Sequence, residues 1–124
     1  MRREKGQSLI EVLVALAVMA IVILALVRVT TVSIRNATFA KNRALATKYA
    51  QEGMEKVRAY RDEVVWETFT SNCPPTLDAL PLPFTRTVAC TGSGDERDII
   101  VIVSWSEAGI PHESKLVTHL TNWK

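Results

Sequence analysis

The 124-residue sequence predicts an α+β chain: one long N-terminal α-helix, membrane-spanning in its first half and packed in its second half on a small antiparallel three-stranded sheet. Three observations predict it. Every residue from 12 to 27 is Val, Leu, Ala, Met or Ile, an unbroken run of 16. No proline occurs between Met1 and Pro74. Beyond Pro83 the pattern changes to short β-branched runs separated by glycine-containing turns.

The apolar run comes first in the chain and in the argument. About 20 helical residues at 1.5 Å each cross the roughly 30 Å of hydrocarbon in a bilayer. A core helix in a small soluble domain shows a polar face, and this run shows none. The remaining residues are too few to surround it. Residues 7–28 are therefore expected to form a transmembrane helix. Arg2, Arg3 and Lys5, set against Glu4, precede it, while Arg28 and Arg35 follow at wider spacing. The denser cluster stays on the cytoplasmic side, which puts the C-terminal part outside. The whole chain holds 15 basic and 13 acidic residues. That balance excludes a protein whose main partner is a nucleic-acid backbone.

Residues 29–61 continue the helix in an amphipathic form. Ala46, Ala50, Gly53, Val57, Tyr60 and Val64 recur at spacings of three and four and make one stripe. Lys41, Lys48, Glu52, Glu55 and Arg58 occupy the opposite face, with Glu52 and Lys56 placed as an i,i+4 pair. Helix is expected from Gln7 to about Tyr60.

Residues 62–124 form the head. Residues 62–83 hold four of the five prolines, with Pro81 and Pro83 at the end, so a connecting loop is expected, with a short helical turn at residues 76–80. Strands are expected at 84–90, 98–106 and 115–121, with turns at 91–96 and 106–111. The run Ile99-Ile100-Val101-Ile102-Val103 is apolar on both faces, as suits a central strand. Short connections favour antiparallel pairing. Cys73 and Cys90 read first as one disulfide in a small extracytoplasmic module. Two free thiols, or half a metal site, are the rival readings.

The residues around the start of the apolar run resemble a known signal. Lys5-Gly6-Gln7-Ser8-Leu9-Ile10-Glu11-Val12-Leu13 is similar to the prepilin signal of type IV pilins and pseudopilins. The resemblance implies a leader of residues 1–6, cut between Gly6 and Gln7 by a prepilin peptidase. It implies N-methylation of the new N-terminus and an assembly role for Glu11, the fifth residue of the mature chain. Gln7 departs from the apolar residue usual after the glycine. Physics adds to the resemblance: a carboxylate in a membrane helix is unfavourable and is expected to have a named partner. An amine on Gln7 lies one helical turn from Glu11, and a neighbouring subunit could supply the same amine.

Residues 101–105, the following hairpin through His112, and Leu116 to Trp123 resemble minor pilins of the type IV pilus modification class and minor pseudopilins. The resemblance implies a pilin-like fold, a minor subunit and no enzymatic activity. The implied partners are other pilin or pseudopilin subunits, prepilin peptidase, an inner-membrane assembly platform, and membrane lipid before assembly. The implied location is the inner membrane, single-pass with the head outside, then a filament. A pseudopilin of a secretion or DNA-uptake machine, and a single-span protein with a binding or enzymatic head, are the alternatives.

Little else in the sequence carries chemistry. His112 is placed in a turn and His119 on a strand, neither with a nucleophile or ligand set at a defining spacing. Asp95, Glu96 and Asp98 could offer hard oxygens to Ca2+, but Arg97 lies among them. No cofactor and no metal are expected.

Overall fold

The computed structural model describes residues 4–123, and side chains from Ser8 onward. Its elements are α1 (Glu4–Glu63), α2 (Trp66–Ser71), β1 (Thr85–Thr91), β2 (Glu96–Glu107) and β3 (Ile110–Thr121). The arrangement is α+β and pilin-like: a long N-terminal helix with an apolar stretch, followed by a three-stranded antiparallel sheet. The chain divides into two compact units, the first ending at Thr38 and the second beginning at Phe39.

In the first unit α1 buries no side chain among the described residues. Every side chain described from Ser8 to Thr38 is exposed. The exposed apolar residues do not stop at Val27 but continue through Val29, Val32 and Ile34. The threonines among and after them fold their hydroxyls back. Thr30 Oγ1 donates to the carbonyls of Leu26 (3.1 Å) and Val27 (2.9 Å), Thr31 Oγ1 to Val27 (2.9 Å), and Thr38 Oγ1 to Ile34 (3.0 Å). Such bonds satisfy a hydroxyl within its own helix.

The second unit has a single core. The expected stripe supplies Ala46, Ala50 and Val57, joined by Met54; β2 supplies Ile99, Val101, Val103 and Trp105; Phe69 and Phe84 close it from the connection. The sheet order is β1-β2-β3 with both pairings antiparallel, so β2 is central. Its inward residues alternate with Ile100 and Ile102 on the other face. Gly53 faces β1 and β2 across a close contact. A Cβ there would lie 2.9 Å from Arg86 Cδ and 3.2 Å from Val101 Cγ1.

Three local expectations are corrected. Helix forms at Trp66–Ser71, and residues 76–80 are irregular. The cause is packing: Trp66 and Phe69, three residues apart on one helical face, meet at 5.6 Å between ring centroids, and Phe69 is fully buried. Residues 74–83 hold four prolines, which leave no run of donors for a helix. Second, β3 begins at Ile110 rather than at Lys115, so the turn shrinks to Ala108 and Gly109, both at positive φ (51° and 80°). That is the pattern of a tight hairpin turn. Glu107 pairs with Ile110 and Ser106 with Pro111. In an antiparallel ladder the second pair is non-hydrogen-bonded, so the missing N–H of Pro111 is not needed. Third, His112 therefore belongs to a strand and not to a turn. It is half-buried and stacks on Trp105 at 5.5 Å, with Phe39 edge-on at 5.0 Å.

Candidate functional site

The candidate site residues divide between the two units. Gly6, Gln7 and Glu11 lie on α1 in the first, inside a helix that starts at Glu4. Four residues separate Gln7 from Glu11, a rise of about 6 Å and little more than one turn, which places both on one side of the helix. The Glu11 side chain is exposed and makes no hydrogen bond or ion pair among the described residues. Arg2 and Arg3 of the expected leader lie outside the described residues. One helix, from Ser8, is long and apolar enough to cross a membrane, and none of its apolar window is buried.

Residues 1–27 match the family model of the prokaryotic N-terminal methylation motif. They are a type IV pilin-class prepilin signal. The match covers the basic leader, Gly6, Gln7, Glu11 and the apolar run through Val27. Neither a comparison with curated proteins nor one with solved structures gives a match for this chain. The prepilin signal implies processing by prepilin peptidase and assembly with other pilin subunits. Proteins bearing it serve structural roles, and an exposed apolar helix fits a membrane-anchored chain that later enters a filament.

In the second unit Cys73 and Cys90 form a disulfide with their Cα atoms 5.9 Å apart. The bridge ties the proline-rich connection to the end of β1, beside the Cys90–Ile99 ladder pair. Closing a loop of this length limits the unfolded chain by about 3 kcal/mol.

Two polar clusters fasten the helix to the connection and the sheet. Lys56 Nζ lies 2.8 Å from Asp78 Oδ2 and 3.2 Å from Glu52 Oε1. The hydrogen bond to Asp78, then that to Glu52, raises the Lys56 pKa, and Lys56 lowers that of Asp78. Arg86 is the residue that sequence reasoning missed. Its side chain is only 3% exposed. It donates from one terminal nitrogen to the Tyr49 carbonyl (3.3 Å) and from the other to the Asp78 carbonyl (2.9 Å), while its Nε–H is buried without an acceptor. The Glu52 carboxylate stands 3.9 Å from the guanidinium, which also acts through space on the Asp78 carboxylate. A signal was present: Arg86 falls on the inward phase of the alternation Phe84, Val88, Cys90, opposite the glycine of the helix stripe.

The acidic turn is engaged by protein groups. Asp95 Oδ1 accepts from Asn122 Nδ2 at 3.1 Å. Glu96 and Asp98, two apart on β2, both face His119 across the ladder. Asp98 Oδ1 is 2.6 Å from Nδ1 of the imidazole and Glu96 Oε2 is 3.6 Å from Nε2. The hydrogen bond with Asp98 is the main cause of a raised His119 pKa. Among the described residues no set of three His, Cys, Asp or Glu side chains is placed to hold a metal ion. Trp105 is core, whereas Trp123 is two-thirds exposed under the Arg61 guanidinium, 5.0 Å from the ring centroid.

Proposed function

We propose that this chain is a minor pilin-like structural subunit of a type IV pilus-type filament. Prepilin peptidase removes residues 1–6, and the new N-terminus at Gln7 is methylated. The chain waits in the inner membrane with its head outside. An assembly platform then lifts it from lipid into the filament by packing its apolar helix against those of neighbours. The observation that carries this reading is the prepilin signal at residues 1–27 leading into an apolar helix whose side chains are exposed on every face. Among the described residues the helix from Ser8 to Thr38 buries no side chain. Lipid before assembly and other helices afterwards supply its surroundings. Glu11 is the one carboxylate within this surface. In the filament it meets the N-terminal amine of a neighbour, which sets axial register.

The decisive experiment is mass spectrometry of the membrane form with the peptidase present and absent. A mature chain beginning at Gln7 is expected only when the peptidase is active. A chain still beginning at Met1 refutes the proposal. Glu11→Ala then separates assembly from folding: loss of filament incorporation is expected, with the Cys73–Cys90 disulfide still formed.

A further inference from the structure

β3 is an edge strand along its whole length, since the sheet order is β1-β2-β3. The tight turn at Ala108 and Gly109 makes Glu107 and Ile110 a hydrogen-bonded pair, and strict alternation then fixes the rest of the ladder. Residues 110, 112, 114, 116, 118 and 120 bond β2. Residues 113, 115, 117 and 119 turn their N–H and C=O groups to the open side, where no group among the described residues bonds them. Pro111, which has no N–H to offer, blunts only the first position of this edge. The opposite edge of the sheet is different. There β1 shares a groove with the proline-rich connection, whose Leu77, Asp78 and Leu80 lie beside Phe84 and Val88.

The open side of β3 overlooks a floor. A groove of ≈ 440 Å³ lies between β3 and α1, with Leu116 and Thr118 on one wall and Gln51, Met54 and Arg58 on the other. A strand added beyond β3 stands about 4.8 Å from it, so the side chain it sets beside Leu116 on the helix-facing side drops into this groove. On the outer face of β3 the odd-numbered residues are exposed. Glu113 and Lys115 form no ion pair among the described residues, and Val117 is 59% exposed. Two opposite charges and an apolar residue thus stand at alternate positions along a row of unused backbone groups.

We infer that the free edge of β3 is a docking site for an extended segment of another protein, which joins the sheet as an antiparallel fourth strand. The backbone decides what kind of partner fits, because an alternating row of donors and acceptors is matched by a strand. Antiparallel pairing is the more stable of the two directions. The side chains decide the partner's sequence. An apolar residue stands opposite Val117, an acid opposite Lys115 and a base opposite Glu113, so the segment reads apolar-x-acid-x-base from its N-terminus. A second copy does not meet these terms. Pairing two β3 edges antiparallel needs a two-fold axis normal to the sheet. That axis turns α1 of one copy against α1 of the other, whereas chains anchored in one membrane run the same way. A parallel row of copies would need the β1 edge, which lies against the connection. The docking site goes beyond the filament-subunit reading, and only the exclusion of a second copy rests on the membrane anchor.

The test titrates the full chain, held in detergent, against a fluorescent peptide with blocked ends, Thr-Val-Leu-Glu-Thr-Lys-Thr, followed by anisotropy. Saturable binding is expected. The charge-exchanged peptide Thr-Val-Leu-Lys-Thr-Glu-Thr turns two attractive cross-strand pairs into repulsive ones and binds on the order of tenfold more weakly. Glu113→Lys combined with Lys115→Glu reverses that preference. Val117→Pro removes an edge N–H without removing a β2–β3 bond and is expected to abolish binding; its fold is read from the near-ultraviolet spectrum and the Cys73–Cys90 bridge. In the parent chain, bound peptide slows amide exchange at residues 113, 115 and 117. No binding up to about 1 mM, equal binding of the two peptides, or unchanged binding by the folded Val117→Pro chain overturns the inference. A concentration-dependent dimer that the peptide dissociates assigns the edge to a second copy and overturns it too. Leader removal is scored separately on the membrane form. An unprocessed chain that binds the peptide refutes the filament reading alone, and a processed chain that does not bind it refutes the docking site alone.

Discussion

Replacing Gly53 by alanine sets two effects against each other, and the structure decides which wins. Alanine in a helix interior is favoured over glycine by about 1 kcal/mol, so propensity alone predicts a more stable head. The new methyl would stand 2.9 Å from Arg86 Cδ and 3.2 Å from Val101 Cγ1. A flexible arginine at the surface would swing aside at little cost. This one is 3% exposed and fastened to the carbonyls of Tyr49 and Asp78. Moving it strains two hydrogen bonds from a charged group, worth about 1.5–3 kcal/mol each, and overpacking typically costs about 1–3 kcal/mol. The net expectation is destabilisation by about 1–3 kcal/mol. For a domain of this size each kcal/mol lowers Tm by roughly 4–8 °C. The assay is thermal unfolding of the full chain in detergent, followed by near-ultraviolet circular dichroism. The same substitution in an Arg86→Ala background removes the obstructing Cδ and is expected to recover about 1–2 kcal/mol as coupling. A rise in Tm for Gly53→Ala alone, or an equal loss in both backgrounds, refutes the reasoning.

Three further outcomes are expected. Cys73→Ser with Cys90→Ser lowers head stability by about 3 kcal/mol, measured as a Tm loss that reductant reproduces in the parent chain. Phe69→Ala empties the fully buried site that anchors α2 and costs about 3–5 kcal/mol, read as a lower denaturant midpoint with α1 helicity retained. The His119 pKa is raised chiefly by its hydrogen bond with Asp98. The stabilisation this pair provides is therefore complete below the ordinary imidazole pKa of about 6.5 and lost as pH rises through the higher folded value. An NMR titration of the His119 ring tests this, and Asp98→Asn should return the midpoint toward the ordinary value.

Strong, uniform patterns made much of this chain legible. The apolar run, the helix stripe at Ala46, Ala50 and Val57, and the central strand at residues 99–103 each repeat one signal over several turns or residues. The methylation motif is local, so it too is visible in sequence. What escaped depended on contacts between distant segments. Trp66 and Phe69 make a helix of Trp66–Ser71 because Phe69 finds a place in the core, a place that local propensity does not show. Pro111 reads as turn chemistry, yet it occupies the one ladder position next to the hairpin where its missing donor is not needed. His112 looked like a solvated turn residue for the same reason. Arg86 stood in the correct phase for burial, but only the opposing Gly53 explains how a guanidinium fits there.

The threonines at 30, 31 and 38 have a bearing on how the first unit changes surroundings. A hydroxyl bonded to its own helix carbonyl asks nothing of its environment, so it presents mainly a methyl outward in either medium. Transfer from hydrocarbon to a protein neighbourhood is then nearly neutral for these side chains, and the same holds for the valines and isoleucines beside them. Glu11 differs because it makes no bond within its own chain among the described residues. Within the apolar stretch that ends at Val27, a surface otherwise indifferent leaves this one charged position to discriminate between lipid and partner. On the proposed filament reading, the direction of transfer is then set by the neighbour that brings a cation to that carboxylate.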